Sequence, residues 1–222
     1  MQQKSEDNLL QVTTDGKRRQ KVLKRIIGGL LAFTGVIVLA LGVMFYRQHR
    51  PQNYVEPIDP ESAEMKTAQL LAGIDGAFLY KYKVSKPFQQ LTIYVSTYEK
   101  GKLISKDEIM RMHENTGILE GGMFAIVPDF ERFEVKLIAT GHGSKMSTDL
   151  PILEGVKNRL YYGRSASGID EKTQIRYNEE QGLVTLLYGE NAIESVGIEA
   201  YETGEDIPEN DYAYYFSFEF DL

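Results

Sequence analysis

Gly141-His142-Gly143-Ser144 is the stretch of this chain that comes nearest to a catalytic loop. A serine hydroxyl beside a histidine can serve as a nucleophile, and flanking glycines can offer backbone N–H groups to an oxyanion. No G-x-S-x-G elbow frames Ser144, however, and a histidine two residues away in sequence cannot be assumed to reach its hydroxyl. A glycine-rich turn between strands accounts for the same residues. The reading of the chain as an anchored hydrolase of cell-wall or peptide substrate rests on His142 and Ser144, with His113 as a further member, and it takes second place.

Metal ligands are similarly scattered. His113, Glu114, Asp129 and His142 would hold zinc only if folding gathered them, and the sequence has no H-x-x-x-H or H-E-x-x-H pair. The acidic run from Gly204 to Tyr212 supplies Glu205, Asp206, Glu209, Asn210 and Asp211, oxygen donors of the kind calcium takes. Asp206, Glu209 and Asp211 are its calcium candidates, although their spacing is not that of an EF-hand. The preferred expectation is a chain with no metal and no cofactor.

A third set is aromatic. Tyr94, Tyr98, Tyr161, Tyr162, Tyr201 and Tyr215 alternate with apolar neighbours, which points them away from the core those neighbours fill. Exposed tyrosines stack on sugar rings or anchor protein interfaces, and they also pair across strands to hold a sheet together. Tyr94, Tyr98, Tyr161 and Tyr162 are the interface candidates.

The elements that must carry these residues are mostly strands. Phe78, Tyr80, Tyr82 and Val84 alternate with Lys81 and Lys83, and Leu91, Ile93 and Val95 alternate with Thr92, Tyr94 and Ser96. Glu99-Lys100-Gly101-Lys102 reads as a hairpin turn. Phe133, Val135, Leu137 and Ala139 form another alternating set, and strands are also expected over 151–153, 159–162, 173–177, 183–188 and 195–201. The clearest is the last, where Tyr212, Tyr214, Phe216, Phe218 and Phe220 share one face. Ser105-Lys106-Asp107-Glu108 matches a capping box and admits a short helix ending near Gly117, with a continued strand as the alternative. Eight to ten short strands without a long amphipathic helix predict a mainly β fold, an antiparallel β-sandwich over 76–222.

Ahead of that domain the chain has a different character. Ile26 to Tyr46 is 21 residues without a charge, about 31 Å as a helix, enough for a hydrocarbon core of roughly 30 Å. It predicts a single transmembrane helix over 26–46, with a basic cytoplasmic tail over 1–25 and a proline-bearing spacer over 47–75. Lys17, Arg18, Arg19, Lys21, Lys24 and Arg25 precede the run, whereas only Arg47 and Arg50 closely follow it, so the N-terminus is expected in the cytoplasm and the C-terminal domain outside. Cleavage as a signal peptide after Ala40-Leu41-Gly42 is the competing reading, but the apolar run is long for that role and lacks a polar region after it. Gly28, Gly35 and Gly42 recur every seven residues and form a stripe along which a partner transmembrane helix could pack.

Charge and cysteine usage narrow the function classes. Residues 1–50 carry a net charge of +6 and residues 51–222 one of −13, so the domain repels phosphate backbones and no nucleic-acid partner is expected. The chain has no cysteine, which removes disulfides, thiolate metal sites and a cysteine nucleophile. A disulfide-free surface domain suits a bacterial envelope. The expectation is therefore a signal-anchored, single-pass binding or interaction protein of the cell membrane. Its partners would be the lipid bilayer, another transmembrane helix, and a protein or envelope ligand, as for an accessory subunit of an envelope, transporter or sensor complex.

Overall fold

The computed structural model describes residues 34–45, 53–72, 76–113, 121–141 and 143–222. The chain divides into two units, Met1–Arg50 and Pro51–Leu222. In the first unit the described residues, 34–45, form a helix (α1) whose side chains are exposed all round. Among the described residues no helix is long and apolar enough to cross a membrane. Residues 26–33 and 46 of the uncharged run, and with them Gly28, lie outside the described set.

In the second unit strands dominate. The described strands are β1 (Tyr54–Pro57), β2 (Phe78–Lys83), β3 (Gln90–Glu99), β4 (Lys102–His113), β5 (Gly121–Asp129), β6 (Glu134–Gly141), β7 (Ser144–Pro151), β8 (Gly163–Gly168), β9 (Thr173–Gln174), β10 (Gln181–Gly189) and β11 (Tyr212–Asp221). Two helices join them, α2 (Ala63–Ala72) and α3 (Glu199–Thr203). One sheet runs β7-β6-β5-β2-β1-β9 and the other β4-β3-β11-β10-β8, with antiparallel pairing throughout. The two sheets pack face to face around one core. Tyr82 of β2 meets Phe220 of β11 at 5.2 Å between ring centroids, and Phe124 of β5 meets Phe218 at 5.6 Å. The inward residues are those of the alternating sets: Tyr80 and Tyr82, Leu91, Ile93 and Val95, Val135, Leu137 and Ala139, and Tyr214, Phe216, Phe218 and Phe220 are all buried.

β11 lies between β3 and β10, which explains its composition. A central strand needs a filled inner face, and here the outer face is filled as well: Ala213, Tyr215 and Ser217 are buried. α3 and the segment before it cover that face, bringing Ile198 and Tyr201 onto Leu187, Ala213 and Tyr215. Irregular chain and the start of α3 stand where a strand is expected over 195–201, because Leu187, Ala213 and Tyr215 on the outward face of β10 and β11 are apolar and need a cover. Gly204, at a φ of 73°, ends this helix with its N–H on the Ala200 carbonyl.

Four further readings change. The stretch assigned to a spacer contains β1, which pairs with β2 and β9 and so belongs to the sheet, and also α2. The capping-box segment is strand: β4 continues through Ser105–Glu108, because pairing along β3 outweighs a local helix signal. Its register shifts leave Ile104 and Ile109 as extra residues in the ladder. Arg159–Tyr161 is a single 3-10 turn, and of 173–177 only Thr173–Gln174 pairs. The hairpin at Lys100-Gly101 is as expected, with φ of 50° and 72°, the two left-handed residues of a tight turn.

Candidate functional site

The glycine-rich loop is the β6–β7 hairpin, in which Gly141 pairs with Ser144 and Gly143 has a φ of 72°. His142 lies outside the described residues. Ser144 is exposed at the start of edge strand β7, and among the described residues no histidine or carboxylate is hydrogen-bonded to it. Gly141 is small for a packing reason, since a Cβ there would stand 2.4 Å from the Tyr82 hydroxyl oxygen. His113 ends β4 opposite Gln90, with its side chain exposed.

The acidic run knits the fold together. Asp211 pairs with Lys100 at the β3–β4 turn, and its other oxygen accepts the Glu190 N–H at 2.7 Å. The Lys100 hydrogen bond, helped by that N–H, holds the Asp211 carboxyl below its ordinary value. Buried Asn210 accepts from the Glu194 N–H at 3.0 Å and donates to the Glu194 carbonyl at 2.8 Å. Asp206 and Glu209 are exposed. Among the described residues no three or more His, Cys, Asp or Glu side chains gather as a metal site.

The tyrosines divide. Tyr98, Tyr201 and Tyr215, expected on an open face, are buried where α3 packs on the sheet, with Tyr201 of α3 stacked on Tyr215 at 5.6 Å and Tyr98 edge-on to Tyr201 at 5.2 Å. Burial pushes the Tyr201 phenol up to about 12 and raises that of Tyr215 further. Tyr94 is half-buried and donates to Glu219 at 3.4 Å. Tyr162 is half-buried beside Tyr212, and Tyr161 is 80% exposed next to exposed Leu160. In α1, Gly35 and Gly42 face open space.

A concavity that alternation does not flag lies beside β8. Pro128, Phe130, Arg164, Ser165, Ala166, Leu186 and Tyr188 line a cavity of about 260 Å³. Phe130 and Tyr188 stack at 5.8 Å with planes 10° apart, and the Arg164 guanidinium lies 4.5 Å over the Phe130 ring. Beside them Arg159 covers Phe133 at 3.8 Å, and Phe133 adopts a φ of 57°, uncommon for a bulky residue. Two aromatic rings of the β5–β6 turn thus each carry an arginine from the chain around β8. β8 itself reads Gly-Arg-Ser-Ala-Ser-Gly, with no branched or aromatic residue, so hydrophobic periodicity has nothing to register there.

No family model matches the chain, and neither a curated protein nor a solved structure is similar to it.

Proposed function

We propose that this chain is a single-pass, signal-anchored membrane protein of the bacterial envelope. Its N-terminus is cytoplasmic, and its β-sandwich acts outside the membrane as a binding module, in the manner of an accessory subunit of an envelope, transporter or sensor complex. The observation that carries the reading is the uncharged run Ile26–Tyr46 with its six-residue basic cluster on one side and an acidic domain on the other. Gly141 makes room for Tyr82, and Asp211 is committed to Lys100 and the Glu190 backbone.

The absence of cysteine makes the topology directly measurable. Ser5→Cys and Ser147→Cys, each the only thiol in its variant, are treated in intact cells with a membrane-impermeant maleimide. Ser147 is exposed on β7. The expected result is labelling of S147C in intact cells and of S5C only after permeabilisation, with the protein in the membrane fraction. Recovery in the soluble fraction, or labelling of S5C in intact cells, overturns the reading.

A further inference from the structure

Helix α2 stands apart from the rest of the domain in what it leaves uncovered. Ser62 caps it, its hydroxyl accepting the Met65 N–H at 3.1 Å and its carbonyl the Lys66 N–H, and Glu64 lies in the first turn. Residues three, four and seven apart share a helix face. Met65 is buried and Ala68 and Ala72 are half-buried, so this stripe is the side turned to the sheet, where α2 meets β5. Leu70 and Leu71 fall five and six positions after Met65, on the other side of the helix, and each is 85% exposed. Among the described residues no other large apolar side chain is exposed so far, those of α1 included.

Charge is missing from the same place. Thr67 to Ala72 holds no charged residue, in a domain whose net charge is −13. The charge that precedes them is Lys66, one turn before Leu70, ion-paired with Glu61 at 2.9 Å and more than half exposed. Single exposed apolar residues are common on protein surfaces. Two adjacent leucines on the uncharged end of a helix, beside a lysine, have instead the make-up of a short interfacial segment. The leucines suit the acyl boundary of a bilayer, and a long cationic side chain reaches the phosphate level.

We propose that Leu70 and Leu71 insert into the interface of the lipid bilayer that anchors the chain, so that α2 holds the domain on the membrane surface. The proposal rests on the reading of Ile26–Tyr46 as an anchor, and that anchor names the occupant. Sixteen residues, 47–62, separate the apolar run from α2, so insertion is an intramolecular second contact at high effective concentration. Two leucines bury too little apolar area to hold a free protein on a vesicle. On a tethered chain they need only bias how the domain lies. Carboxylates are costly to bring to an apolar interface, and Thr67–Ala72 brings none.

The chain has no tryptophan, so Leu71→Trp places a single reporter in the full-length protein. The protein is reconstituted in phosphatidylcholine–phosphatidylglycerol vesicles, with and without lipids brominated near the top of the acyl chain. Leu160→Trp, at a position 71% exposed on the turn before β8, is the comparison. L71W is expected to emit to the blue of L160W and to lose intensity in brominated vesicles, while L160W keeps its intensity. Leu70→Glu added to L71W should abolish the shift and the quenching at an unchanged melting temperature, since Leu70 is exposed. Flotation of the vesicles is measured on the same samples. Protein that floats without quenching of L71W, or with equal quenching at both sites, overturns insertion and leaves the anchor standing. Protein that stays out of the vesicles overturns both readings. A blue-shifted L71W that bromine does not quench, and that reverts on dilution into excess lipid, assigns the leucines to a protein contact and overturns the proposal.

Discussion

The Tyr82 hydroxyl donates to the Thr140 carbonyl at 3.0 Å, passing over Gly122. A Cβ at Gly122 would lie 1.9 Å from that carbonyl oxygen and 2.5 Å from the Tyr82 ring and hydroxyl. Neither neighbour can move cheaply, one being backbone of β6 and the other a core ring stacked on Phe124 at 4.9 Å. Gly122→Ala should destabilise the domain by about 3 kcal/mol, in the range of overpacked cores. Tyr82→Phe should cost about 1 kcal/mol, the scale of one hydrogen bond. Urea unfolding monitored by circular dichroism separates them, and near-equal effects would refute the account.

β11 is the strand on which both faces of its sheet depend. Phe216 is wholly buried, and Phe216→Ala should cost about 3–5 kcal/mol through lost transfer energy and the cavity left behind. That is a large share of an ordinary stability of about 5–15 kcal/mol. Deleting residues 212–222 should abolish cooperative melting in a thermal scan, since β3 and β10 would lose their common neighbour.

Thr185 makes the opposite case. It is fully buried on the outward face of β10, and its hydroxyl has no hydrogen-bond partner among the described residues. Valine has the same shape without the stranded polar group and suits a strand. Thr185→Val should stabilise the domain by about 1 kcal/mol, seen as a higher urea midpoint at an unchanged m-value.

The Lys100–Asp211 pair should make stability depend on pH at the acidic end. The folded carboxyl is held below its ordinary value of 3.8. Its stabilising effect is therefore complete above the unfolded value and is lost as pH falls through the folded one. Asp211→Asn should lower Tm by about 2–4 °C near neutrality and leave a smaller difference below pH 4. A constant Tm difference across that range would show that the charge is not involved.

Much of the β framework is legible in local sequence. Alternation identifies the inward faces of β2, β3, β6 and β11, and Lys100-Gly101 marks a turn, because strand period and left-handed turn residues are properties of a few adjacent positions. β4 is less legible, since Ser105 to Glu108 carries a helix-start signal that only pairing with β3 overrides. β1 is hidden among prolines and charges in four residues, and it counts as a strand because β2 and β9 lie on either side of it.

The candidate sites divide on the same principle. The sequence by itself determined the uncharged run with its basic flank, the lack of cysteine, the acidic charge of the domain and the mainly β class, since each is a matter of composition or short-range period. Tertiary structure decided which tyrosines are available: Tyr98 and Tyr215 alternate correctly for an open face, yet the segment around α3 folds over them and buries its own Tyr201 against them. It also decided that Asp211 is an ion-pair partner of the Lys100 turn, 111 residues away in sequence. And it made an edge of β8, five small residues and one arginine with no periodic signal of their own. Whether a strand is central or peripheral depends on its neighbours, and those are set by packing across the whole chain.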